Sequence, residues 1–272
     1  MLFMWLGKLL LTTFLFFSVS AISNAEINIA LLESYPWSFQ GKDGEIKGIY
    51  PDLLKKVQTN INTNINFLNE VKLEIHLHPM ARIQHDMSTN SYTDLTIMSF
   101  KPKRKLIMRP LEKIYRTPFI LLSRAKDPIH TIEELAGKRL AVLQGGSGCP
   151  CLEGSSNPKK IYVNDHKHSL KMLLANRSDA VAGPAIRLLG NVSALGFKDK
   201  IAVPVIYEWR EVWLWANNSY LHEEGPVVMG AGKLRDIDAF LFEFKKLIMS
   251  GAIREIAALY LTGEQLEYVY DE

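Results

Sequence analysis

The chain has 272 residues, 47% of them hydrophobic and 22% charged, and 32 Lys and Arg against 29 Asp and Glu give a formal charge of +3. That balance excludes a disordered or low-complexity chain, and it excludes a dedicated nucleic-acid binder, which concentrates its basic residues. Two cysteines exclude a disulfide-built scaffold and a multi-cysteine zinc protein.

Residues 1–25 read MLFMWLGKLLLTTFLFFSVSAISNA, with Lys8 as the only charge. A basic start, an apolar run from Leu9 to Val19 and small residues at Ser23 and Ala25 follow the order of a secretory signal peptide. The run is short of the roughly 20 residues of a membrane span. Cleavage after Ala25 would leave Glu26 first, and the expected product is an exported, periplasmic protein.

From Glu26 onward the pattern alternates strands and helices. Ile27–Leu32 suits a buried strand, and 35–48 is a loop rich in aromatics and glycine. Tyr50–Val57 opens a helix, with Pro51 and Asp52 in the first turn and Leu53, Leu54 and Val57 on one face. Val71–Leu77 alternates as a half-buried strand does. Ala81–Met87 reads as a short helix and Asp94–Met98 as a strand. Thr117–Ser123 and Arg139–Leu143 are further strands. Between them Thr131–Ala136 is expected to be helical, with Thr131 and Glu134 at capping-box spacing. A glycine-rich stretch, Gln144–Gly154, comes next. Ser169–Ala175 reads as a helix. Asp179–Ala182, Ile201–Val205 and Val212–Ala216 read as strands. Ile237–Met249 and Ala252–Leu261 are helical, broken at Gly251. Alternation of this kind indicates α/β architecture with largely parallel sheets.

Several short motifs occur in a telling order. They are Tyr35-Pro36-Trp37-Ser38-Phe39, Gly48-Ile49-Tyr50-Pro51-Asp52-Leu53-Leu54, Pro79-Met80-Ala81-Arg82, Asp94 with Lys103-Arg104-Lys105, and Pro118-Phe119. They continue with Gln144-Gly145-Gly146-Ser147-Gly148, Asn176-Arg177-Ser178-Asp179-Ala180-Val181 and Leu247 to Ile253. Together they span nearly all of 26–265, and the chain resembles the bacterial periplasmic solute-binding proteins of the polar-amino-acid type. The resemblance implies a type II periplasmic-binding fold: two α/β lobes, each a mostly parallel sheet flanked by helices, joined by two crossing segments. The crossings are expected near Lys113–Phe119 and Tyr207–Trp213. Lobe 1 would be 26–114 with 214–272, and lobe 2 would be 115–213.

The same resemblance implies a ligand set. Arg104 corresponds to an arginine that holds a ligand carboxylate, and a guanidinium is a planar two-pronged donor suited to that task. Only ten positions separate it from Asp94, so the preceding loop is shortened and Ser99 matches the ligand-binding Ser/Thr approximately. Arg82 is a second anion contact or a brace at a helix start. Tyr35 and Trp37 line the cleft and stack on the ligand. Gly145, Gly146 and Ser147 bring backbone amides toward an anion. Amino-acid binders of this type place an aspartate after the D-A-V strand for the ligand ammonium, and here Gly183 stands in that place. Either another acid substitutes, with Glu33, Asp52 and Glu208 nearest, or the ligand has no α-amine.

Cys149-Pro150-Cys151 admits a tight local disulfide or a soft-metal site, and the local staple is favoured. His76-x-His78 and His166-x-His168 lack a supporting acid or cysteine cluster, so no metal site is assigned. No cofactor and no catalytic residue are assigned. The expected function is capture of a small polar, carboxylate-bearing solute, an amino acid or a related compound, in the cleft between the lobes for an ABC-type permease by a monomeric protein. The alternatives are a binder reporting to a membrane receptor and a dehydratase-like enzyme on the same scaffold.

Overall fold

The computed structural model describes residues 26–64, 70–144, 157–220 and 231–269. The signal-like segment 1–25, the glycines at 145 and 146, Ser147 and the cysteines at 149 and 151 all lie outside the described residues.

In chain order the strands are β1 (Glu26–Leu32), β2 (Phe39–Gln40), β3 (Ile46–Lys47), β4 (Lys72–His78), β5 (Leu95–Ser99), β6 (Met108–Ser123), β7 (Arg139–Leu143), β8 (Lys159–Val163), β9 (Ala180–Pro184) and β10 (Val205–Asn217). The helices are α1 (Ile49–Thr63), α2 (Met80–Ser88), α3 (His166–Leu174), α4 (Ala185–Ala194), α5 (Ala231–Met249), α6 (Ala252–Ala257) and α7 (Gly263–Leu266). Strands β2 and β3 form a small antiparallel hairpin in the aromatic loop.

The main sheet has eight strands in the order β4-β1-β5-β10-β6-β9-β7-β8. The outer trios β4-β1-β5 and β8-β7-β9 are parallel, as helical crossovers require. The expectation of largely parallel sheets holds at both ends and fails in the middle, where β10 and β6 run antiparallel to their neighbours. The central pair is long, 16 residues in β6 and 13 in β10. Each is one continuous ribbon that joins the two parallel trios, so the two crossing segments are hydrogen-bonded to each other. Register shifts break their ladder at Ile206/Glu208, Val212/Trp213 and Leu214/Trp215, and such bulges bend a strand locally.

Each trio has its own core. One cluster joins Ile27, Ile29 and Leu31 of β1 to Leu53, Leu54, Val57 and Ile61 of α1 and to Phe240 and Phe244 of α5. Another joins Ile120 and Leu122 of β6 to Leu170 and Leu173 of α3 and to Leu188 and Val192 of α4. Helix α1 starts where expected, with Pro51 and Asp52 in its first turn. Gly48 precedes it at φ 126°, and a Cβ there would lie 2.7 Å from the Trp37 carbonyl oxygen, so only glycine fits.

The two halves also share a brace. The Asp94 carboxylate accepts the Asn28 amide at 2.8 Å, and the Asp179 carboxylate accepts the Arg139 amide at 2.8 Å. Both acids stand just before a strand of their trio and tie it to its neighbour. Asp179 also takes the Arg139 guanidinium at 2.8 Å, which drives its carboxyl far below the ordinary carboxylate range.

Four local expectations are corrected. Thr131–Ala136 contains only a single 3-10 turn, Glu133–Leu135. Its capping box does not form, because Glu134 accepts the His130 amide at 3.0 Å instead. Ile201 makes only an isolated bridge to Arg124, and the strand proper begins at Val205. Helix α6 closes at Ala257, four residues before Leu261. Helix α4 lies in a stretch that the sequence pattern left unassigned.

Candidate functional site

A cavity of about 50 Å³ lies against the β6–β10 ribbon, between the two parallel trios. Its floor is β6: Tyr115, Thr117 and Phe119 alternate along the strand and all face it, with Val212 of β10 beside them. Its walls are the carboxyl ends of the parallel strands, namely Leu32 of β1, Met98 and Ser99 of β5, Val142 and Leu143 of β7, and Ala182 to Pro184 of β9. That is where ligand crevices form in α/β sheets.

Four helices begin at this cavity. Tyr50 is the second residue of α1, Met80 the first of α2, His166 the first of α3 and Arg187 the third of α4. All four residues line it. Converging helix N-termini bring positive potential to the same place.

Two buried arginines reinforce that potential. Arg104 is 3% exposed, in the turn Pro102–Leu106 behind Ser99 and Met80. Its Nη1 donates to the Ser99 carbonyl and, at 3.2 Å, to Ser99 Oγ, while Nη2 reaches Met80 Sδ at 3.8 Å. Among the described residues its buried Nε has no hydrogen-bond partner. Burial first, and then the neighbouring charges of Arg210 and Arg187, lower the Arg104 pKa to about 10. The group remains a cation at neutral pH. Arg187 is 8% exposed and lines the cavity from α4. Among the described residues no ion pair joins either Arg104 or Arg187 to a carboxylate. Arg210 lies over the Phe119 ring at 4.5 Å and pairs with Glu208.

The remaining polar groups are neutral. Burial and the Arg187 charge lower the His166 pKa to about 3, so its imidazole is uncharged at neutral pH. Burial raises the Tyr50 and Tyr115 phenols, whose hydroxyls bond each other at 2.8 Å. Thr117 is 2% exposed, and its Oγ1 has no hydrogen-bond partner among the described residues.

The expected ligand residues fall into distinct places. Ser99 lines the cavity and Arg104 stands directly behind it. Trp37 is 1% exposed and does not line the cavity. It stacks on Tyr50 at 4.7 Å and on Tyr115 at 4.8 Å, so it supports two residues that line the cavity. Tyr35 faces a wider outer groove, together with Glu33, Phe39, His78, Asp165 and Lys167. Arg82 lies apart from the cavity, largely solvent-exposed, with its Nε on the buried Asp86 carboxylate at 2.8 Å. The glycines 145 and 146 and Ser147 follow Leu143 in sequence but lie outside the described residues.

The candidate substitutes for the aspartate missing at Gly183 are elsewhere. Asp52 accepts the Tyr260 hydroxyl, and Glu208 pairs with Arg210. Glu33 lines the outer groove. What fills the space beside Gly183 is His166: a Cβ on Gly183 would stand 2.8 Å from its Cε1.

Arg187 and Thr117 carry no motif, and His166 stands out in sequence only as half of the His166-x-His168 pair. A signal existed for Arg187, because Ala185-Ile186-Arg187-Leu188-Leu189 directly after Pro184 has helical spacing and begins at a strand end. None existed for Thr117, whose exposure to the cavity depends on the register of the ribbon.

The halves touch across the cleft. Gly190 of α4 packs on the loop of the other half, where a Cβ would meet Pro36 Cδ at 3.1 Å. Asn191 Nδ2 reaches the Tyr35 carbonyl at 3.5 Å.

No protein-family model matches the sequence, and no curated protein matches it. Solved structures do match. A substrate-binding protein of an ABC uptake transporter from Streptococcus pneumoniae, with bound histidine, aligns at TM-score 0.70 and 16% identity, covering 88% of this chain and 93% of that one. A solute receptor for L-cysteine of Neisseria gonorrhoeae aligns at 0.70 and 15%, covering 90% and 96%. A histidine kinase sensor domain with similarity to periplasmic binding proteins aligns at 0.71 and 15%, covering 88% and 96%. The chain therefore has the two-lobed fold of the periplasmic solute-binding proteins, with a cavity at the junction of its lobes. Among the described residues no helix is long and apolar enough to cross a membrane.

Proposed function

We propose that this protein is a non-catalytic solute receptor that captures a small carboxylate between its lobes. In this reading residues 1–25 direct export to the periplasm and are removed. Lobe 1 comprises 26–114 with 214–272, and lobe 2 comprises 115–213. The observation that carries the reading is a pair of buried arginines: Arg187, lining the cavity where four helices begin, and Arg104, buried directly behind Ser99. A buried cation without an ionised partner is unfavourable, and a bound carboxylate supplies that partner. Ser99 would add a hydroxyl contact. The arginines stand on opposite lobes, so one anion touching both stabilises the lobes against each other, which is how a hinged binder couples capture to closure.

The partner in this reading is an ABC-type permease, as for the pneumococcal protein. The likeness to a kinase sensor domain favours a second reading, in which the loaded protein reports to a membrane receptor. Uptake of the labelled solute by cells lacking this protein separates the two: loss of uptake supports the permease, and unchanged uptake supports the receptor.

Calorimetric titration with a panel of small carboxylates tests the capture itself. Arg104→Gln is expected to weaken binding of any carboxylate that binds by about 10- to 100-fold, the value of a charge-assisted hydrogen bond. Affinity within threefold of the parent would overturn the role of Arg104.

A further inference from the structure

The chemistry around Gly183 narrows the solute beyond "a carboxylate", and this narrower claim rests on capture of an anion by the buried arginines. Two groups stand at the corner at the end of β9, and a third lines the same cavity from the β6 floor. The His166 ring occupies the space that a side chain at 183 would need, with Leu188 Cδ1 3.5 Å from the same point. Arg187 stands near enough to influence the His166 ring electrostatically. Thr117, on the β6 floor, presents a buried hydroxyl with no partner among the described residues.

An ammonium group in this corner would face a guanidinium and an imidazole, with helix N-termini behind both. Each of these repels or fails to neutralise a cation. A hydroxyl or keto oxygen meets the opposite situation. It can accept a hydrogen bond from Thr117, from the imidazole or from Arg187, and it brings no charge to bury. The cavity has room for about three to five water-sized atoms, which suits the carboxylate end of a small solute. We propose that the cleft selects small carboxylates that carry no ammonium group and bear a hydroxyl or keto oxygen, with Arg104 and Arg187 on the anion and Thr117 on the second oxygen. A glycine at 183 is then part of the specificity, because it admits the neutral imidazole in place of an acid.

The test is titration calorimetry on the purified protein with matched pairs: L-lactate and L-alanine, L-malate and L-aspartate, 2-oxoglutarate and L-glutamate. In at least one pair the amine-free member is expected to bind tenfold or more tightly than the amino acid. Thr117→Val, which keeps the shape of the side chain, is expected to weaken L-lactate or L-malate about tenfold relative to propionate or succinate. The double variant Gly183→Asp with His166→Ala, which puts an acid in the vacated space, is expected to shift preference toward the amino acid. If the amino acid of every binding pair binds as tightly as its amine-free counterpart, this proposal falls while carboxylate capture stands. If no member of any pair binds, both fall. An unchanged preference in Thr117→Val removes the second-oxygen contact from the proposal and refutes that part of it.

Discussion

Replacing Gly183 with alanine puts a methyl group where the His166 ring already lies. The added Cβ would stand 2.8 Å from His166 Cε1, 3.4 Å from Nδ1 and 3.5 Å from Leu188 Cδ1. A relaxed carbon–carbon contact is about 3.5–4.0 Å, so the ring must retreat by about 1 Å. The backbone at 183 is not left-handed, so alanine adopts it and the whole effect is steric. Overpacking a buried site costs about 1–3 kcal/mol. Because the ring can lean toward the cavity, a cost of about 1–2 kcal/mol is expected. At about 2–4 °C per kcal/mol for a protein of this size, the midpoint of thermal unfolding falls by about 2–8 °C. Circular dichroism melts on Gly183→Ala, His166→Ala and the double variant measure it as a cycle. With the ring gone, the methyl group should cost less than about 0.5 kcal/mol. An unchanged midpoint in Gly183→Ala, or an equal cost with and without His166, would refute the contact and the account of why glycine is required there.

Acid should weaken the fold through the same histidine. The unfolded chain takes up a proton near pH 6.5, whereas folded His166 resists it down to about 3. Below pH 6.5 the unfolded state binds more protons, so stability drops as pH falls through that window, by about 2 kcal/mol at pH 5. His166→Gln should flatten the dependence of the melting midpoint between pH 6.5 and 4. Asp179→Asn should cost about 1–3 kcal/mol, since it removes the charge that holds Arg139 and ties β9 to β7. The carboxyl of Asp179 is held below its ordinary range, so its contribution is full above about pH 4 and fades at lower pH. The Asn variant should therefore approach the parent in acid denaturation and differ most at neutral pH. Trp37→Ala should cost about 3–5 kcal/mol by removing the buried ring that stacks on Tyr50 and Tyr115. Trp37→Phe should keep solute affinity within threefold, and a larger loss would show that Trp37 acts on the ligand directly.

Much of the architecture was legible along the chain because it is local. Helix α1 is set by Pro51, Asp52 and an apolar stripe that ends in Ile61, all within one continuous segment. Strands β1, β5 and β7 are short apolar runs that can satisfy both faces only when buried. The turn at Thr131 was misread for a complementary reason. The spacing of a capping box was present, but Glu134 found the His130 amide, and no apolar stripe held a longer helix together.

The site was legible only where it repeats a linear motif. Arg104 and Ser99 are candidates from the motif alone because Ser99 ends β5 and Arg104 follows it at short range. Trp37 and Tyr50 come from neighbouring segments of the same aromatic region, yet one became floor support and the other cavity wall. Which ring faces the cavity is decided by Tyr115, a residue far along the chain that completes the stack. Arg82 sits where an anion contact was expected, but the buried carboxylate of Asp86, one helical turn on, takes its guanidinium.

What the sequence by itself determined is the alternation of strands and helices, the approximate places of most of them, and the presence of an arginine after β5. These depend on propensity, periodicity and short-range contacts. Strand β8, helix α4 and residues 108–116 of β6 carried no pattern that assigned them. Only the tertiary structure decided the antiparallel ribbon at the centre of the sheet, the convergence of four helix N-termini and the placing of Arg187 at the cavity within electrostatic reach of Arg104. It alone seated the His166 ring against Gly183. Each of those joins residues far apart in the chain, and their proximity follows from strand order, which no local pattern encodes.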